Sequence, residues 1–288
     1  MHPSSSVTAD LGVYDMLTRT IVGVLFAIVY LIFLMVLPPM WLAFAMAGVV
    51  ALASYELLRA VKAAPRPYMY AITAVSAASI PVGFWLGKGS IVVYAAALVL
   101  MITLFFTAIR HFDDGDNTIR YEQIMVCFFG GLLVPVCLSA LVQLRMMENG
   151  RFIVLLPVIC ASITDVGAYF VGVLFGKHRG VTKVSPNKSL EGYIGGIAVG
   201  CLVLMLYAFV LNRFAGMNLS MPLMAIYGIV GSAVTELGDL SFSLIKRQVG
   251  VKDYGNLLPG HGGMMDRFDS TVFAAPAILV LVWLMPAF

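Results

Sequence analysis

The chain has 288 residues, of which 61% are hydrophobic and 11% charged, with a formal net charge of +3. Its mean hydropathy is +0.96. A soluble globular domain, with about 25% charged residues, is excluded by that balance. The four cysteines, Cys127, Cys137, Cys160 and Cys201, lack the close pairing of a zinc or redox site and fall in apolar runs. They are expected as small buried hydrophobes.

Residues 1–19 form a polar tail that includes Ser4, Ser5 and Ser6. It lacks the basic segment of a cleavable signal peptide, so the first apolar run is expected to be a retained anchor. Nine apolar runs follow: Thr20–Leu37, Met40–Leu57, Tyr68–Gly87, Ser90–Ile109, Ile124–Leu144, Phe152–Phe175, Tyr193–Leu211, Met221–Leu240 and Phe268–Phe288. Crossing a ~30 Å hydrocarbon core takes roughly 20 helical residues, and backbone polar groups must pair internally there. The runs are too continuous for barrel strands, whose signature is alternation. The expected fold class is all-α, a polytopic transmembrane protein of about nine spans, with residues 20–288 as one integral-membrane domain.

Nine spans place 14 of the 18 Lys and Arg residues on the side of the N-terminus, leaving Lys88, Arg145, Arg151 and Arg213 on the other. The positive-inside rule then predicts a cytoplasmic N-terminus and an external C-terminus, in a multi-pass protein of the cell membrane. Within residues 20–150 the spans are bland. Glu56 and Arg59 are spaced for an ion pair on one helix face. The aspartate-rich stretch from Arg110 to Asp116 lacks the second matching cluster that prenyl-diphosphate chemistry uses, and reads as a solvated loop.

In the second half, residues 152–288, ionisable groups enter the spans themselves. Asp165 lies inside the sixth run. Glu236 and Asp239 lie one turn apart near the end of the eighth, with Ser243 a further turn along the same face. An acid at mid-membrane costs about 2.5–3.5 kcal/mol on insertion scales, so cations or an aqueous cavity must compensate these three. Two loops on the expected cytoplasmic side, 176–192 and 241–267, supply cations and turn formers. The first carries Ser185-Pro186-Asn187-Lys188. The second carries Lys246, Arg247, Lys252, Pro259, Gly260, His261, Gly262, Gly263, Asp266 and Arg267, and Asp269 follows. Such turns let backbone N–H groups approach an anion, and neither loop holds a Walker motif. Mg²⁺ takes few carboxylates and completes its shell with water and phosphate, so Asp239 and Asp266 are the expected metal ligands. His261 alone is a weak ligand.

Ser243-x2-Lys246-Arg247-x4-Lys252-Asp253-x-Gly255-x2-Leu258-Pro259-x-His261-Gly262-Gly263-x2-Asp266-Arg267-x-Asp269 resembles the signature of phosphatidate cytidylyltransferases, the CDP-diacylglycerol synthases, with every signature position filled. Asp165-x-Gly-Ala-Tyr-Phe, Gly176-Lys-His, Ser185-Pro-x-Lys188 and Gly238-Asp239-Leu240 are similar to the family as well. One departure is Ser189-Leu190, where the family commonly has Thr-Trp. The resemblance implies transfer of a cytidylyl group from CTP to phosphatidic acid, releasing pyrophosphate. It further implies Mg²⁺, more than one metal near the aspartates matching Asp239 and Asp266, and a homodimer acting on membrane lipid, with no role for nucleic acid. Asp239, Asp266, Lys246 and Arg247 are the expected catalytic residues. Asp165, Ser185, Lys188, Ser243, Lys252, His261, Arg267 and Asp269 are expected to bind substrate, with Lys246 and Arg247 on the β- and γ-phosphates of CTP and Arg267 on the lipid phosphate. The competing readings are a CTP-dependent polyprenol or phytol kinase, which would release CDP, and a secondary transporter, which would usually show two related halves.

Overall fold

The structure is a computed structural model that describes residues 20–112, 118–257, 260 and 262–287. The polar tail 1–19, the aspartates of the 110–116 cluster and His261 lie outside the described residues. Among the described residues every long element is a helix: α1 (Thr20–Val36), α2 (Pro39–Val61), α3 (Pro67–Trp85), α4 (Gly89–Arg110), α5 (Tyr121–Met146), α6 (Gly150–Phe175), α7 (Leu190–Phe214), α8 (Met221–Gln248) and α9 (Met264–Leu284). Seven of these, α2 and α4 to α9, are long and apolar enough to cross a membrane. The expected count of about nine is therefore met only in part. α1 has 17 residues and falls short in length. α3 is not among the seven; its Thr73, Ser76, Ser79 and an internal Pro81 dilute its hydropathy.

Sequence punctuation sets the helix ends. Pro39 opens α2 and Pro67 opens α3, where a missing N–H costs nothing. Gly250, at φ 74°, closes α8 by donating to the Arg247 carbonyl at 3.3 Å. Helices adjacent in sequence pack as antiparallel neighbours, and α9 also packs on α2 and α6.

Small residues bring α6 and α7 together. Gly192, Gly196 and Gly200 recur one turn apart on the buried face of α7. A Cβ on Gly196 would lie 2.8 Å from the Thr164 carbonyl oxygen, closer than real contacts allow. This is the close approach that small-residue stripes permit where no hydrophobic force drives helix pairing. At the end of the bundle opposite the signature loop, the buried Tyr227 hydroxyl donates to the Met285 carbonyl at 2.6 Å, satisfying one of the orphan carbonyls at the end of α9. There too Ser220 N–H donates to Ala287 O at 3.1 Å.

Candidate functional site

The loop between α6 and α7 is folded on itself before it reaches the site. Gly180, at φ 73°, donates to the Pro186 carbonyl at 3.1 Å. The Glu191 carboxylate accepts the N–H groups of Lys177 and His178 at 3.1 and 3.2 Å. Ser189 caps α7, its hydroxyl accepting Gly192 N–H at 3.1 Å. Serine thus does the capping that threonine could do at the position where the chain departs from the signature. Ser185 closes a turn whose carbonyl accepts Lys188 N–H at 3.2 Å.

The folded loop delivers Lys188 into the bundle. Its ammonium lies 2.8 Å from Glu236 Oε2 and 2.8 Å from Asp239 Oδ2, above the Tyr193 ring. Burial works against the Lys188 charge, but Asp239 and Glu236 outweigh it and hold the ammonium above its ordinary value. Lys188 is therefore held as a cation beside these two acids. Asp165 lines one cavity together with Lys188 and a second together with Asp269. The intramembrane acids of the sequence analysis thus converge, and a lysine from outside the span compensates two of them.

A second lysine repeats the arrangement. Lys246, in the last turn of α8, lies 2.9 Å from Asp266 Oδ1 and 3.8 Å from Asp269 Oδ2. The other oxygen of Asp266 accepts Tyr254 N–H at 2.8 Å and Gly263 N–H at 3.0 Å, so this residue also caps α9. Asp269 Oδ1 accepts Ser270 N–H at 2.7 Å. Tyr254 is buried and pins the loop by donating to the Phe242 carbonyl at 2.9 Å. Burial, reinforced by the charges of Asp266 and Asp269, pushes its phenol above the usual range and keeps it protonated.

The remaining cations divide. Arg247 and Lys252 are exposed, while Arg267 is exposed at the rim of a cavity. Ser243 is half-buried on the α8 face below Asp239. His261 lies outside the described residues.

Two cavities meet at Asp165. One, of about 400 Å³, is lined by Tyr169, Arg179, Asn187, Lys188 and Tyr193 together with Asp165. The other, of about 520 Å³, runs between α1, α6 and α9. It is walled by Phe26, Tyr30, Leu155 and Ile159, and carries Asp165, Asp266, Arg267 and Asp269. The first is polar at the loop, the second apolar along its length with a charged end.

The donors suit a hard divalent cation. Asp239, Asp266 and Asp269 offer carboxylate oxygens, and Glu236 Oε1 is buried with no hydrogen-bond partner. Among the described residues no three acidic, histidine or cysteine groups form a closed cage. An ion held here would take few protein ligands and complete its shell with phosphate and water.

Sequence reasoning missed Glu56. It was expected to pair with Arg59 along α2. Instead its carboxylate accepts Met265 N–H at 2.9 Å, in the first turn of α9. The available signal was an acid inside an apolar span, the same rule that singled out Asp165. Tyr254 was missed as well, since a tyrosine in a polar loop carries no such mark.

Comparison with known proteins adds the following. A profile described as the cytidylyltransferase family matches residues 17–285. The chain is 30% identical over 275 residues to a Bacillus subtilis protein named phosphatidate cytidylyltransferase, covering 93% of this chain and 98% of that one. It is 34% identical over 182 residues to a Staphylococcus saprophyticus protein of the same name, covering 63% of this chain and 68% of that one. A Mycobacterium bovis protein, again so named, is 37% identical over 166 residues, covering 57% of this chain and 52% of that one.

Proposed function

The chain belongs to the cytidylyltransferase family, and from that premise we propose that it transfers a cytidylyl group from CTP to phosphatidic acid. A phosphate oxygen of the lipid bonds to the α-phosphorus of CTP, the bond to the β-phosphate bridging oxygen breaks, and pyrophosphate leaves. CDP-diacylglycerol remains. The lipid phosphate is already ionised, so no side-chain nucleophile or base is required, and catalysis comes from positioning and charge neutralisation.

The observation that carries this reading is the meeting of two unlike cavities at Asp165. The polar one suits a nucleotide arriving from water. The apolar one, with Arg267 at its charged end, suits acyl chains with a phosphate headgroup. Arg is the better bidentate phosphate clamp, which favours Arg267 for the lipid phosphate and Arg247 for the nucleotide. Lys188 and Lys246 hold fixed positive charge beside the carboxylates. Asp239 and Asp266 would hold Mg²⁺, which when bound neutralises phosphate charge in the transition state. Purified protein in detergent, given labelled CTP, phosphatidic acid and Mg²⁺, is expected to form CDP-diacylglycerol and pyrophosphate. Release of CDP with a phosphorylated alcohol in its place would instead identify a kinase.

The membrane setting belongs to the same proposal: about nine crossings, with the 176–192 and 241–267 loops cytoplasmic, and a homodimer whose contact surface comes from exposed apolar helices such as α4. The asymmetry of 14 against 4 basic residues supports the orientation. Cysteines introduced at the exposed positions Lys183 and Asn256, in a chain without the native four, are expected to react with an impermeant maleimide only from the cytoplasmic face. Cysteines at Lys88 and Gly216 are expected to react only from the outside. The reverse pattern would overturn the orientation, and a mixed pattern within either pair would overturn the span count.

A further inference from the structure

The N-terminal half of the chain, bland in sequence, sends the Glu56 carboxylate into the signature loop. Glu56 sits near the end of α2, is 7% exposed, and reaches a backbone N–H 209 residues away. Three features of the loop converge on it. Met265 N–H, one of the orphan donors of the first turn of α9, ends on Glu56 Oε2 at 2.9 Å. Gly263, the residue before α9, has no side chain with which to cap the helix, and a Cβ there would overlap Glu56 Oε2. A Cβ on Gly255 would overlap Glu56 Oε1. Gly263 has φ −92°, which any residue adopts, so room for Glu56 is what demands glycine there.

The position has consequences for the site. Gly255 and Gly263 flank the loop segment on either side of its turn, and Asp266 and Arg267 follow within the same turn of α9. Glu56 accepts the Met265 N–H while Asp266 accepts the Gly263 N–H. Two carboxylates thus share the N-terminus of α9, where the helix dipole favours both. With Glu56 on Met265, the Asp266 carboxylate remains turned toward Gly263, Tyr254 and Lys246.

We propose that Glu56 is a positioning residue for cytidylyl transfer: it caps α9 from another helix, and so fixes the first turn of α9, with Asp266 and Arg267, at the junction of the two cavities. It acts through the loop and touches no substrate. The kinetic readout rests on the cytidylyl-transfer reading, whereas the tether itself can be tested without turnover.

The test uses the full-length enzyme in detergent, with wild type first shown to make CDP-diacylglycerol. Glu56→Ala lowers kcat about 10²-fold, the scale of a misplacement near 1 Å, and leaves KM for CTP within about threefold. Glu56→Gln keeps an acceptor oxygen for Met265 N–H and stays within about tenfold of wild type. Glu56→Asp, one methylene too short, falls to the level of the alanine variant. This order reads reach in place of charge and holds the inference open to refutation even if the alanine variant fails to fold. Gly263→Ala is severe in the wild-type background, because its methyl displaces Glu56, but costs under about threefold more in the Glu56→Ala background. A cysteine at the half-buried Met264, in a chain without the native four, reacts with maleimide several-fold faster in Glu56→Asp than in wild type. Wild-type kcat in Glu56→Asp, losses from Glu56→Ala and Gly263→Ala that multiply, or an unchanged labelling rate would overturn the assignment. If wild type makes no CDP-diacylglycerol, the functional reading fails, and the labelling rate still decides the tether.

Discussion

Asp266→Asn and Asp239→Asn are each expected to lower turnover by at least about 10³-fold, with expression and membrane insertion intact. The fold tolerates both changes for visible reasons. An asparagine at 266 keeps an oxygen for the N–H groups of Tyr254 and Gly263, and Lys246, losing its 2.9 Å partner, still faces the Asp269 carboxylate at 3.8 Å. An asparagine at 239 leaves Lys188 paired with Glu236. What each loses is one negative charge facing a lysine and the proposed phosphate site. On the proposed reading these acids would hold Mg²⁺, and losing its charge stabilisation would remove several kcal/mol from the transition state, each 1.36 kcal/mol being tenfold in rate. The measurement is kcat across a Mg²⁺ titration, beside thermal unfolding in detergent. Near-normal turnover in either variant would remove that residue from the ligand set.

Lys188→Met should act on stability and activity together. Its ammonium compensates Glu236, whose side chain is 6% exposed, and Asp239, whose side chain is 23% exposed. Taking one partner from a buried ion pair costs about 3–5 kcal/mol, since the remaining charge is left without compensation. The single variant should show a clearly lowered Tm and little turnover. Adding Glu236→Gln should restore much of the Tm, because the buried charge is gone, but not the activity, because the cation beside Asp239 is still missing. An unchanged Tm in Lys188→Met would mean that water already screens these acids. Recovery of activity in the double variant would reduce Lys188 to a structural role.

Helix positions were legible because hydropathy is a local property. Each described helix lies where an apolar run was expected, including α1 and α3, which fall short of the spanning measure. Chemistry was legible where ionisable residues entered apolar runs, as at Asp165, Glu236 and Asp239, and where the signature gathered charge around glycines. The Glu56 expectation failed for a physical reason. A residue inside a helix has nearby sequence partners at i+3 and i+4, and nothing local announces a carbonyl or N–H brought alongside by packing.

By itself, the sequence determined the all-helical class, the order of the helices, the separation of basic and non-basic loops, and the family. Each follows from the solvent preference of short segments or from residues contiguous in the chain. Only the tertiary structure decided which lysine neutralises which acids, that Asp165 borders both cavities, and that Glu56 caps α9. Those outcomes depend on how each helix is rotated about its own axis. A helix apolar on nearly every side carries no moment from which that rotation can be read. The rotation is decided by the close approach of glycine faces such as Gly192 and Gly196 to α6 and Gly200 to α6 and α8, and by the need of each buried charge to find a partner.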